Sequence, residues 1–316
     1  MNILIFEYVT GGGFCGQPLP PSLANEGEMM LKALLANFDD ISTVKTLTML
    51  DYRFCSSQTF RPNTSLTQFL PVPGNEDVAH LFQAYLQKAD AAWVIAPEFD
   101  GILETFCHYV THANKILLTS PAKAVRQTAN KFETFQRLQH AKIATVPTAH
   151  FDPHTSVDKS KEWIVKPIDG AGSQETYLLC HPDDWDSLPP ILPCDFIYQP
   201  HIRGEKTSLS CLFDKQNTRL LCINLQIFDL INQLYYLKEI NVNYKKDDGR
   251  YKQLVSDIAS AFPDLWGYVG IDLIETPNEI YVLEINPRLT TSFVSIQEKA
   301  GFNIAKLVMD LLPKDS

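Results

Sequence analysis

No CxxC pair occurs in this chain of 316 residues. Its seven cysteines, Cys15, Cys55, Cys107, Cys180, Cys194, Cys211 and Cys222, are scattered and odd in number. That speaks against a disulfide framework and for free thiols in a reducing compartment, with the cytoplasm as the default. There is no basic run, and the net charge is −10. Sequence-independent binding to nucleic acid is therefore not expected, although a local basic pocket for a phosphate is allowed. No apolar run reaches membrane-spanning length, so no membrane partner is expected. The first residues, Met1 to Glu7, lack a basic n-region and meet an acid early, which reads as a first strand rather than a signal peptide. Internal repeats and low-complexity segments are absent. His108, His112, His150, His154 and His181 show no metal-ligand spacing.

What remains is an ordinary globular composition, 45% hydrophobic and 20% charged, enough for two or three domains. Residues 2–9 read as a strand, followed by Gly11-Gly12-Gly13 and a Pro-rich loop. Ser22 is placed to cap a helix to about Phe38. A strand at Thr43–Leu50 gives way to an irregular stretch through Pro73. A helix at Asp77–Lys88, a strand at Ala92–Ala96, a helix at Ile102–His112 and a strand at Lys115–Thr119 follow. This alternation predicts a small parallel sheet with helices on both faces. The glycine triplet opens the first crossover, either as a ligand cradle or as a plain loop.

After Pro121 the pattern changes. Lys123–His140 reads as a helix broken near Thr128, and Val146–Phe151 as a short extended piece. Trp163–Pro167 is a strand ending in Lys166, before the loop Gly170-Ala171-Gly172-Ser173. Glycines let backbone N–H groups approach phosphate oxygens, and a lysine adds a point charge. Tyr177–Cys180 returns as a strand, and Asp183–Cys194 as a surface connection. Phe196–Gly204 passes from strand to linker. Ser208–Phe213, Leu220–Phe228 and Leu234–Asn241 read as consecutive antiparallel strands. A helix at Asp247–Phe262 and a closing helix at Ala305–Leu312 bracket the most informative segment.

That segment is a hairpin. Tyr268–Ile274 carries one acid, Asp272, among apolar residues, and Tyr281–Ile285 carries Glu284, with Asn286 on the same face. Thr276 to Glu279 supply the turn. Two acids and an Asn at one strand end, followed by Arg288, suit a hard cation sharing its shell with phosphates. Direct pairing of Asp272 with Glu284 predicts a three-residue loop, Pro277-Asn278-Glu279, with Asn278 left-handed. A two-residue loop needs one bulge to keep Glu284 on that face.

These residues resemble the ATP-grasp superfamily from about Pro121 to Leu312. The features, in order, are Asn130-Lys131 opening a helix, Val165-Lys166-Pro167 with Gly170 to Ser173, the hinge before Gly204-Glu205, and Asp272 with Glu284-Ile285-Asn286-Pro287-Arg288. Phe6-Glu7-Tyr8-Val9-Thr10-Gly11-Gly12-Gly13 and Ala96-Pro97-Glu98 resemble the branch that includes tyramine–glutamate ligases of methanofuran-type cofactor synthesis. The resemblance implies an ATP-grasp fold, α/β and α+β. Its parts would be an N-terminal parallel α/β substrate domain (1–120), a small central lid domain (121–198) and a C-terminal antiparallel-sheet domain (199–316).

The resemblance also implies roles. Lys131 and Lys166 contact ATP phosphates, and Gly170, Gly172 and Ser173 belong to a mobile lid. The hinge of Gln199, His201 and Ile202 holds adenine. Asp272, Glu284 and Asn286 bind Mg²⁺, or Mn²⁺ in its place, and Arg288 faces the transferred phosphoryl group. Two departures stand out. The hinge has Gln199 where a Glu is usual, and the position of the acid expected at the ribose falls on Glu205 in the preferred alignment and on Lys206 in the other. Each residue also has a plain reading: Lys131 as a solvated lysine, the glycine loop as a turn, Arg288 paired with Glu298. The implied activity joins a small-molecule carboxylate to an amine through an acyl phosphate, for instance glutamate to tyramine or a tyrosine-like amine. Another amino-acid or dipeptide ligase, a bicarbonate-using carboxylase and a silent nucleotide-binding subunit are the alternatives. A nicotinamide enzyme built on the glycine triplet ranks last. A homo-oligomer is left open.

Overall fold

The computed structural model describes residues 1–55, 66–152, 157–170, 175–188, 196–215 and 217–313. The first five strands are β1 (Asn2–Glu7), β2 (Lys45–Asp51), β3 (Thr67–Val72), β4 (Ala91–Ile95) and β5 (Ile116–Leu117). They form a parallel sheet in the order β3-β2-β1-β4-β5. Alternation along β1 sends Ile3 and Ile5 to one face and Leu4 and Phe6 to the other, and all four are fully buried. Helix α1 (Pro21–Asp39) covers the first face through Met30, Leu31 and Leu34. After the short α2 (Tyr52–Cys55), α3 (Val78–Leu86) and α4 (Ile102–His112) cover the second through Phe82, Leu86 and Phe106. Two expectations need correction. Ser22 does not cap α1, which instead begins with Pro21 in its first turn. Strand β3 occupies part of the stretch expected to be irregular. Its Pro71 argues against a central strand but is tolerated here because β3 lies at the sheet edge.

The break in the next helix falls at Asn130, between α5 (Ala122–Ala129) and α6 (Lys131–His140). Asn130 stops one helix and starts the other, its side chain accepting from Phe132 N and Glu133 N, both at 3.0 Å. The remaining strands are β6 (Ala149–His150), β7 (Trp163–Pro167), β8 (Tyr177–Leu179), β9 (Phe196–Pro200), β10 (Glu205–Asp214), β11 (Asn217–Ile231), β12 (Leu234–Lys245), β13 (Gly267–Glu275) and β14 (Ile280–Asn286). They form a sheet in the order β14-β13-β10-β11-β12-β8-β7-β9-β6, antiparallel at every pairing. Among the described residues its β6–β9 part is paired to the rest through Leu234 with Tyr177, and Leu178 N donates to Gln233 O at 2.8 Å beside it. Helix α7 (Arg250–Ala261) buries Tyr251, Val255 and Ile258 in one cluster with residues of β10, β11 and β13. Helices α8 (Ile296–Ala300) and α9 (Ile304–Met309) return to α1. There the Asn37 side chain accepts from Ile304 N at 2.7 Å.

The β13–β14 hairpin pairs Asp272 directly with Glu284, but by the bulged route. Glu275 pairs with Ile280 and Leu273 with Val282, so Leu283 is the extra residue that keeps Glu284 beside Asp272. The three-residue loop is not formed, and Asn278 is not left-handed. Thr276 sets the turn instead: its hydroxyl accepts from Glu279 N at 3.0 Å and its backbone N–H donates to Glu279 O at 2.9 Å. The entry to β10 is equally constrained. A Cβ on Gly204 would lie 2.4 Å from the Glu275 carbonyl oxygen, a backbone atom that cannot swing aside. Gly204→Ala is therefore expected to cost about 1–3 kcal/mol of stability by overpacking. An unchanged denaturation midpoint would show that this strand entry relaxes freely.

Candidate active-site cleft

One cleft receives residues from both sheets, and its centre is the hairpin face. Asn286 Nδ2 donates to Asp272 Oδ2 at 3.0 Å, and Gln226 Nε2 donates to Asp272 Oδ1 at 3.0 Å. Burial, and then the charge of Glu284, push the Asp272 carboxyl well above the ordinary range. Lys131 stands at the N-terminus of α6, its Nζ donating to the Gly170 carbonyl at 2.6 Å and lying 3.8 Å from Glu284 Oε2. Its place is fixed by the Asn130 cap and by its own N–H bond to Ile168 O at 2.9 Å. Lys166, on β7, is 6% exposed, and burial lowers its ammonium to about 8.

The centre thus opposes two carboxylates to two lysines. Among the described residues no group of three or more His, Cys, Asp and Glu could hold a metal. A cation here would draw on Asp272, Glu284 and the Asn286 side-chain oxygen, and on an anion held by the lysines. That donor set, oxygen only and short of a full shell, fits Mg²⁺ or Mn²⁺ bound together with phosphates. Two carboxylates paired across a hairpin and repelling each other are the observation that favours a cation. Gly170 lines the cleft, whereas Gly172 and Ser173 lie outside the described residues.

One end of the cleft is formed by the residues after β9. Gln199 is buried and its Nε2 donates to Thr148 Oγ1 at 2.8 Å, which turns the amide oxygen into the remaining acceptor. Ile202 and His201 also line this end. The His201 ring is held on both sides, Nδ1 at 2.8 Å from Glu162 Oε2 and Nε2 at 3.1 Å from the Tyr235 hydroxyl. Glu205 is not brought here. Alternation at the start of β10 sends it away from the cleft, where it accepts from Lys245 Nζ at 2.9 Å, and Lys206 enters in its place. Lys206 Nζ sits 3.5 Å from the centroid of the Tyr235 ring and 5.0 Å from that of Phe228, and burial lowers it to about 8. Gln226, Phe228 and Tyr235 were not singled out from sequence. The spacing of Gln226 and Phe228, two apart on one strand, was the available signal.

The other end is built from the parallel sheet. Arg288 does not pair with Glu298, which meets Lys299 at 3.0 Å. Its partner is Glu98, just beyond β4: Nε and Nη2 donate to the two Glu98 oxygens at 2.8 and 2.7 Å. Burial alone would lower the guanidinium, but Glu98, Glu284 and Glu26 hold it above its ordinary value. Glu7, Glu26, Val9, Phe14, Leu23 and Met30 complete this end. The glycine triplet packs against the chain itself: a Cβ on Gly11 would lie 2.5 Å from Glu7 O, and one on Gly13 2.4 Å from the Tyr8 ring.

Comparison with known proteins adds the following. Residues 128–292 match the family of ATP-grasp domains, and residues 44–125 match that of pre ATP-grasp 3 domains. The tyramine–L-glutamate ligase of Methanocaldococcus jannaschii is 26% identical over 309 residues, 97% of this chain and 88% of its own length. Among solved structures, an ATP-grasp superfamily protein from Archaeoglobus fulgidus superposes with a TM-score of 0.74 at 24% identity. That match covers 98% of this chain and 88% of the other. An L-amino acid ligase from Bacillus licheniformis gives a TM-score of 0.66 at 17% identity, covering 99% and 74%. The two structural likenesses bear on the fold.

Proposed function

The chain belongs to the ATP-grasp family and is an ADP-forming carbon–nitrogen ligase, and from that premise we propose that it joins glutamate to tyramine or a similar aromatic amine. The observation that carries the reading is the cleft centre, where Asp272, Glu284 and Asn286 face Lys131 and Lys166. The end-to-end likeness to a tyramine–L-glutamate ligase supports the substrates. Lys131 and Lys166 hold ATP phosphates. Gln199 and Ile202 receive the adenine, with the Lys206–Tyr235–Phe228 group beside it. Asp272, Glu284 and Asn286 hold a divalent cation, which when bound neutralises charge on the moving phosphoryl group. Arg288 meets the transferred group and the carboxylate that accepts it. The amine then displaces phosphate from the acyl phosphate, in a cleft whose depth keeps water from doing so first. The three parts, 1–120, 121–198 and 199–316, supply the substrate end, the lid over the phosphates and the cation face.

The direct test supplies purified protein with ATP, Mg²⁺, L-glutamate and a panel of amines, and follows ADP, phosphate and product mass. Amine-dependent ADP release with a product of summed mass less water is expected. ADP release that needs bicarbonate and no amine, or none at all, overturns the proposal. A second test concerns the nucleotide. Lys166→Ala removes one charge-assisted phosphate contact and is expected to weaken ATP binding about 10- to 100-fold. A folded variant that binds ATP as wild type does would remove Lys166 from the phosphate site.

A further inference from the structure

Two carboxylates, Glu7 and Glu26, line the end of the cleft formed by the parallel sheet, and a third, Glu98, is bonded to Arg288 there; they differ in what they have left to bond. Glu7 accepts through both oxygens: Val9 N donates to Oε1 at 3.2 Å, and Thr10 N and Oγ1 donate to Oε2, both at 2.7 Å. Glu98 spends both oxygens on Arg288. Among the described residues Glu26 has a single long bond, from the Thr291 hydroxyl to Oε2 at 3.4 Å. It stands on α1 between Leu23 and Met30, so that Leu23, Glu26, Gly27 and Met30 form one helix face turned into the cleft. Gly27 completes that face by having no side chain, since a Cβ there would lie 2.5 Å from Glu7 Oε2. Phe14 and Val9 wall the same end from the chain after β1.

We infer that this end of the cleft is the acceptor-amine subsite, in which Glu26 receives the ammonium group and Leu23, Met30, Phe14 and Val9 enclose its apolar tail. This rests on the ligase reading above and names the residue that selects its second substrate. A half-buried carboxylate with unfilled lone pairs, ringed by apolar side chains, suits a compact cation carrying an apolar body. A neutral or anionic acceptor would leave it unpaired. Its position fits the reaction. Glu26 accepts from Thr291, three residues past Arg288, so an ammonium held by it lies toward the carboxylate end of the reacting pair rather than the adenine end, and it passes one proton to the Glu26 carboxylate so that its lone pair can form the C–N bond as phosphate leaves. Burial raises the Glu26 carboxyl, and Arg288 and the Thr291 hydroxyl oppose that rise.

The test uses the full chain with ATP, Mg²⁺, L-glutamate and tyramine. In the wild type, N,N-dimethyltyramine keeps the cation and the ring but forms no neutral amide, so competitive inhibition against tyramine is expected. Tyrosol has the same ring and chain without the cation and should inhibit more weakly by about tenfold or more. Glu26→Gln should raise the KM for tyramine about 10- to 100-fold, with the KM for ATP and for L-glutamate held within about twofold. Equal inhibition by the two analogues, or an unchanged tyramine KM in the variant, overturns the inference. Should Glu26→Gln fail to fold, the analogue pair decides alone. Wild-type protein that shows no amine-dependent turnover at all is a separate failure, which sinks the ligase reading and this inference with it.

Discussion

Glu284→Gln is expected to lower turnover by on the order of 10²–10³-fold while leaving the protein folded. The substitution keeps the shape of the side chain and its place opposite Asp272. It removes one of the two anionic oxygens offered to a cation. It also removes the like charge that helps raise the Asp272 carboxyl, a relief, and the counter-charge 3.8 Å from Lys131 Nζ, a loss. These electrostatic changes oppose each other, so the thermal midpoint should move little and the defect should lie in the chemistry. Two measurements decide: kcat against Mg²⁺ concentration, and the melting curve. The variant should require more Mg²⁺ and still reach a lower plateau. Retention of wild-type turnover at ordinary Mg²⁺ would remove Glu284 from the reacting centre, and the proposed cation site with it.

The route by which Glu284 reaches that position shows what local sequence can and cannot specify. Alternation along Tyr281–Ile285 and along Tyr268–Ile274 put both acids on one face, and they share it. Parity alone predicts a three-residue loop as the simplest connection. The Thr276 side chain instead closes a shorter turn, and Leu283 absorbs the odd residue as a bulge. A bulge leaves no mark in the hydrophobic pattern. Phase was lost in a similar way at β10, where the chain enters from a linker that sets no register, and Lys206 rather than Glu205 faces inward. Strand β3 was hidden by Pro71, whose cost depends on being central or at an edge, a property of the assembled sheet. The Arg288–Glu98 pair joins residues 190 apart. Nothing near Arg288 points to Glu98, and the nearer acid, Glu298, is equally suitable by charge. Local chemistry was therefore legible wherever one element contains it, and partners chosen by packing two sheets together were not.

Arg288→Ala should destabilise the fold by about 3–5 kcal/mol, more than the loss of a surface ion pair would allow. The side chains of Arg288 and Glu98 are only 12% and 7% exposed, and the fork fills both Glu98 oxygens. Removing the guanidinium strands a carboxylate that must either stay charged without a partner or take up a proton, and both cost free energy. Glu98→Ala should be destabilising for the mirrored reason. The double variant Arg288→Met with Glu98→Leu replaces the pair by apolar groups of comparable reach. It is expected to recover most of the stability, because a buried ion pair can be exchanged for packed apolar groups at little net cost. Its activity should not recover, since Arg288 also reaches the acceptor end of the cleft: Nη1 spends one N–H on the Leu289 carbonyl, and the N–H groups not facing Glu98 remain for a phosphoryl or acyl oxygen. Stability and activity then part company, which a merely structural pair would not produce. The measurement is a double-mutant cycle in denaturant unfolding, with Arg288→Met and Glu98→Leu as its single variants, run beside the turnover assay. Additive stability losses, with the double variant the least stable of the set, would show that the two side chains do not depend on each other. Recovered turnover in the double variant would confine Arg288 to holding the two sheets together.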